Sequence, residues 1–121
     1  MSPFKGQTGL KRILNAAGYS LAGLRAAFVG EAAFRQLLLI NLVLVPVAFF
    51  LDVSRVERAL MVAVCVLALI VELLNSAVEA AIDRISLELH PLSKTAKDMG
   101  SAAQFMALSL IALVWAIILL G

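Results

Sequence analysis

The sequence predicts an all-α membrane protein of three transmembrane helices preceded by an N-terminal amphipathic surface helix. Three observations carry that prediction. Apolar residues make up 63% of the 121 positions and charged residues 15%, whereas a soluble domain is about half apolar. Long apolar runs recur three times, each sufficient to cross ~30 Å of hydrocarbon at about 1.5 Å per residue. The segment before them alternates apolar and polar residues with a helical period and is too polar to cross.

Leu10, Ile13, Leu14, Ala17, Leu21, Leu24 and Phe28 fall on one face of a helix over residues 8–28, with Lys11, Arg12, Asn15 and Arg25 off that face. Gly18 and Gly23 weaken it and mark a place for a bend. The first crossing, 32–51, carries Asn41 and Pro46 in an otherwise apolar run, and a proline inside a spanning helix favours a kink. A polar link, Asp52 to Arg58, leads to the second crossing, 59–82, which opens with thirteen apolar residues and then turns acidic. The third crossing, 99–120, is 22 residues long. No linker or repeat divides the chain, so it reads as a single domain over 1–121, with flexibility confined to residues 1–9.

Five basic residues precede or open the first crossing, two lie in the first link and three in the second. This asymmetry places the N-terminus and the second link in the cytoplasm, and the C-terminus outside. The first crossing then acts as its own insertion signal, since no cleavable leader is visible. The basic residues are scattered without aromatic interleaving, which excludes nucleic acid as a partner. Cys65 is the single cysteine and reads as a small core side chain.

The run VELLNSAVEAAIDR, 71–84, sets Glu72, Asn75, Glu79 and Asp83 at spacings of three, four and four residues, which stacks them on one stripe of a helix. An ionisable group at bilayer depth costs roughly 2.5 kcal/mol or more, so the stripe implies partners or a function. From Glu72 to Asp83 it covers about 16 Å, reaching from mid-leaflet depth to cytoplasmic water. Glu31, at the cytoplasmic mouth of the first crossing, and Glu79 stand at similar depth, where two carboxylates can share a hard cation such as Mg²⁺. Glu72 lies two turns deeper in apolar surroundings, the place for a general base. Lys97 and Asp98 precede the third crossing, and Lys97 can serve an anionic ligand or simply anchor the helix. His90 reads as a solvated loop residue and Trp115 as an interfacial belt residue. Gly100 to Ala103 form a small-residue patch for close helix packing, with Ser101 a packing residue. There is no Walker A, GxGxxG or HExxH pattern.

The runs AAGYS (16–20), GLRAAF (23–28), EAAFRQ (31–36), VELLNSAVEAAIDRI (71–85) and AKDMGSAA (96–103) closely resemble the prokaryotic membrane diacylglycerol kinases and tie the N-terminal helix to all three crossings. The resemblance implies a homotrimer in the bacterial inner membrane that phosphorylates a lipid hydroxyl, diacylglycerol to phosphatidic acid, from MgATP. In that family the glutamate matching Glu72 is the proposed general base, and those matching Glu31 and Glu79 hold Mg²⁺ with its nucleotide. Arg12, Tyr19, Glu88, Leu89, His90, Lys97 and Asp98 match further ATP contacts. The lipid-contacting region matches Arg12, Ala16, Ala17, Gly18, Tyr19, Ser20, Leu21, Arg25, Ala33, Phe34 and Arg35, joined near the base by Glu72, Asn75 and Ser101. Familiar members carry Trp-Lys where this chain has Leu21-Ala22, and Pro91 and Lys94-Thr95 alter the second link. Gln104 is a polar residue in the third crossing with no assigned role.

The same core motifs occur in undecaprenol kinases. A small proton-coupled transporter would also carry a buried glutamate, but acids confined to the cytoplasmic half offer no alternating route outward.

Overall fold

A computed structural model of the protein describes residues 9–85 and 88–121. The polar N-terminal stretch through Thr8, which includes the first position of the expected surface helix, lies outside the described residues. Four helices follow in order: α1 (Gly9–Gly30), α2 (Ala32–Phe50), α3 (Arg55–Ile85) and α4 (Pro91–Leu120). Three of them, α2 to α4, are long and apolar enough to span a membrane. Helix α1 runs unbroken through Gly18 and Gly23, and α2 through Pro46.

Local chemistry fixes the junctions. Only Glu31 interrupts the helical path between α1 and α2, with φ −120° and ψ 106°. The Arg35 guanidinium reaches back and donates Nη1 to the carbonyls of Phe28 (2.8 Å) and Val29 (3.0 Å), groups at the end of α1 that its own ladder leaves without partners. At the far end of α2, Arg58 donates Nε to the Ala48 carbonyl and Nη2 to that of Leu51, both at 2.9 Å. Ser54 and Glu57 form a reciprocal cap: the Glu57 amide donates to Ser54 Oγ (3.1 Å) and the Ser54 amide to Glu57 Oε1 (2.9 Å). That cap starts α3 at Arg55, four residues before the apolar run. Helix α4 likewise begins eight residues ahead of the expected span. Its N-cap is His90, whose Nδ1 accepts from the Leu92 amide at 3.0 Å, and Pro91 occupies the first turn, where its missing N–H costs nothing. His90 is therefore a helix cap as well as a loop residue.

Helix α3 is the centre of the molecule, packing on α4 most extensively and on α2 next, while α1 touches α2. Leu37, Val64, Cys65, Ala68, Ala107 and Ile111 form the core. The small side chains among them let helices approach closely, which is how helices associate where lipid removes the hydrophobic drive between them. Cys65 is buried as a free thiol. Trp115 is half-buried, and its indole Nε1 donates to the Met61 carbonyl of α3 at 3.2 Å. An indole N–H needs an acceptor when it leaves water, and α3 supplies one. Gly100 of the small-residue patch packs directly on the Asn75 side chain, whereas Ser101, Ala102 and Ala103 are exposed on the surface of the single chain.

Candidate active site

The four polar residues of the α3 stripe become progressively more accessible along the helix. Glu72 is 6% exposed, Asn75 and Glu79 are half-buried, and Asp83 is exposed. Each has a partner set by the helix facing it or by the next turn. Glu72 Oε1 accepts from Gln104 Nε2 of α4 at 3.0 Å, and its Oε2 accepts from Ser76 Oγ, one turn on, at 3.3 Å. Asn75 donates Nδ2 to Glu79 Oε1 at 3.3 Å. At the polar end, Lys97 Nζ donates to Asp83 Oδ1 at 2.8 Å. Lys94 and Asp98 pair within the first turns of α4 at 2.6 Å.

Lys94 and Lys97 lie ahead of the apolar part of α4. The hydrogen bond from Lys97 to Asp83 holds its ammonium above the ordinary lysine value, and Asp98 does the same for Lys94. Both lysines are thus charged throughout the neutral range, and what their ammonium groups contribute to these pairs is lost as pH rises through the raised values.

Two clefts open on this end of the molecule. The first, about 890 Å³, lies between the α1–α2 corner and α3. It is lined by Ser20, Gly23, Leu24, Gly30, Glu31, Leu73, Ser76, Glu79 and Asp83 among others. It brings together the two carboxylates expected to share a cation, together with Ser76, which reaches Glu72. Among the described residues no group of three or more His, Cys, Asp or Glu could hold a metal. The protein offers a pair, and Mg²⁺ is characteristically held by one or two carboxylates with the remaining positions taken by phosphate and water. The donor set therefore fits a nucleotide-borne Mg²⁺. The second cleft, about 730 Å³, lies at the α3–α4 turn and gathers Asp83, Glu88, Leu89, His90, Lys94, Lys97 and Asp98. Asp83 lines both clefts, so the two adjoin.

The remaining expected residues are dispersed. Arg12, Ala17, Gly18, Tyr19, Leu21 and Arg25 are exposed along α1, with Ala16 half-buried. Of the lipid-contact set at the start of α2, Ala33 and Arg35 are exposed but Phe34 is turned into the core at 4% exposure. Gln104 and Ser76 join the site from outside the expected set, and Asp83, the last member of the stripe, lines both clefts. Ser76 is legible as the residue four on from Glu72. Gln104 announces itself only as a polar group in an apolar span.

Three helices long and apolar enough to span a membrane, with a row of carboxylates that grows more exposed toward one end, define a small multi-pass membrane protein. Comparison with known proteins narrows this class. The family model for prokaryotic diacylglycerol kinase matches residues 18–119. The chain is 79% identical over 120 residues to the diacylglycerol kinase of Pseudomonas aeruginosa, covering 99% of this chain and 98% of that one. It is 51% identical over 112 residues to that of Escherichia coli strain K12, covering 93% and 92%. With the diacylglycerol kinase of Haemophilus influenzae the identity is 46% over 108 residues, covering 89% and 92%. The chain belongs to the prokaryotic diacylglycerol kinase family.

Proposed function

We propose that this protein is an ATP-dependent diacylglycerol kinase of the inner membrane, forming phosphatidic acid. The observation that carries the reading is the accessibility gradient of the α3 stripe: a buried carboxylate, Glu72, is connected through Ser76 to a cleft that holds Glu31, Glu79 and the exposed Asp83. The printed names of relatives that match nearly the whole chain support the same activity.

In this reading Glu72 accepts the proton of the lipid hydroxyl as that oxygen bonds to the γ-phosphorus, and the bond from phosphorus to the ADP oxygen breaks. Phosphoryl transfer asks a protein mainly to position the reactants and neutralise charge. Glu31 and Glu79 would hold Mg²⁺, which when bound with the nucleotide offsets the charge on its phosphates. Lys97, with Glu88, Leu89, His90 and Asp98 around the second cleft, would receive the nucleotide, and Arg12 and Tyr19 would approach it from α1. The exposed apolar residues of α1, Leu10, Ile13, Leu14 and Leu21 among them, suit a helix lying in the cytoplasmic interface with its basic residues toward water. The lipid then arrives laterally between that helix and α3. A single chain leaves Glu31 and Glu79 open to one side, which favours completion of the site by a neighbouring chain, and the family resemblance implies that the assembly is a homotrimer.

The test is transfer from γ-labelled ATP in mixed micelles containing diacylglycerol or undecaprenol. The expected result is labelled phosphatidic acid, abolished by EDTA and restored by Mg²⁺, with kcat/KM for diacylglycerol at least about tenfold above that for undecaprenol, roughly 1.4 kcal/mol in transition-state binding. A preference for undecaprenol would overturn the substrate and leave the kinase chemistry standing.

A further inference from the structure

We propose that Gln104 is a positioning residue that holds the Glu72 carboxylate before and after it takes up the substrate proton. The proposal rests on the reading of Glu72 as the base. Gln104 sits 32 residues from Glu72 in sequence and donates to it across the α3–α4 interface at 3.0 Å, while Ser76 donates to the other carboxylate oxygen at 3.3 Å. Both oxygens of a 6% exposed carboxylate are therefore fixed, each by a different donor. Two bonds of that kind hold the plane of the carboxyl group, and with it the lone pair offered to an arriving hydroxyl.

The other half of the Gln104 amide is the informative part. Its Oε1 is buried without a hydrogen-bond partner among the described residues, a costly arrangement in surroundings this apolar. An amide presents a donor and an acceptor of nearly the same shape on one carbon, so a half-turn about its last side-chain bond exchanges them. When Glu72 is ionised it needs a donor, and Nε2 supplies it. Once the hydroxyl O–H bond has broken and its proton sits on Glu72, the new carboxylic O–H needs an acceptor, and Oε1 supplies that. A leucine or valine at this position would serve neither state, and a lysine only the ionised one. The geometry thus makes sense of a buried amide that satisfies half of its capacity at any one time.

The experiment compares Gln104→Met, which keeps an unbranched chain of similar length without hydrogen bonding, Gln104→Leu, Ser76→Ala, the Ser76→Ala/Gln104→Met double variant and Glu72→Gln, all purified in detergent. The expected result is a fall in kcat of about tenfold in Gln104→Met, with KM for MgATP within twofold and an unchanged thermal midpoint. Gln104→Leu should behave alike. Because both donors fix the same carboxyl group, the double variant should lose less than the product of the two single losses. Wild-type kcat in Gln104→Met, multiplicative losses in the double variant, or a lowered midpoint in both Gln104 variants would each overturn the proposal, the last by showing that the amide merely holds the helices together. Glu72→Gln separates the two levels: if it is inactive while Gln104→Met turns over normally, only the positioning role fails, and if it turns over normally the base reading fails and takes the positioning role with it.

Discussion

Asn75 and Gly100 show how closely side-chain identity is specified around this site. A β-carbon at Gly100 would collide with the Asn75 side-chain oxygen, which is the free end of a rotatable side chain. The chain backbone has no reason to move, so the cost of an added methyl falls on the Asn75 rotamer and on its 3.3 Å bond to Glu79. Gly100→Ala is therefore expected to lower activity about tenfold while changing unfolding free energy by less than the ~1–3 kcal/mol usual for overpacking a rigid core. Activity and thermal midpoint measured on the same preparation check this, and a destabilised but fully active variant would contradict it. At this scale the sequence showed which residues belong together along one helix, because a period of 3.6 is fixed by the backbone. Glu72, Asn75, Glu79 and Asp83 were legible for that reason. Gln104 as the partner of Glu72 was not, since the register between α3 and α4 depends on how small residues such as Ala68 and Ala107 interlock, and no single-chain spacing encodes it.

At the scale of the helix, hydropathy marked three spans but set the starts of the second and third too late. A hydropathy boundary marks where polar residues begin, whereas a helix ends where its terminal amides and carbonyls find other partners. The reciprocal cap of Ser54 and Glu57 carries α3 back to Arg55. His90 and Pro91 do the same for α4. These extensions matter because they place Lys97 and Asp98 on a rigid helix beside Asp83, where a flexible loop would leave them without fixed positions. Removing the cap in His90→Ala should fray the first turn of α4 and cost about 0.5–2 kcal/mol, as loss of a helix cap typically does. Hydrogen exchange at the Leu92 amide reads the effect directly. Exchange should accelerate in His90→Ala and return in His90→Asn, and unchanged protection in the alanine variant would show that the cap is dispensable.

At the scale of the molecule, much of the apolar surface is uncovered. Leu39, Leu42 and Val43 of α2 and Phe105, Met106, Leu113 and Ile117 of α4 are exposed, as befits helices surrounded by lipid or by further copies of the chain. The class of fold was legible throughout, because composition and run length alone demand membrane helices. Assembly was not, since lipid and a neighbouring helix ask for the same apolar residues. If neighbouring chains complete the site, mixing inactive Glu72→Gln with inactive Glu31→Gln subunits should recover part of the activity, and no recovery despite demonstrated subunit exchange would favour a site built within one chain. The central claim concerns the division of labour along the depth of the molecule, in which Glu72 lies about 10 Å further into the membrane than Glu79. Its most direct test is to titrate ATP and Mg²⁺ against purified Glu72→Gln, Glu31→Gln and Glu79→Gln while recording turnover. The account predicts that Glu72→Gln loses turnover with nucleotide affinity kept within a few-fold, whereas Glu31→Gln and Glu79→Gln demand more Mg²⁺ or ATP. Lost nucleotide binding in Glu72→Gln together with full binding in Glu79→Gln would contradict it.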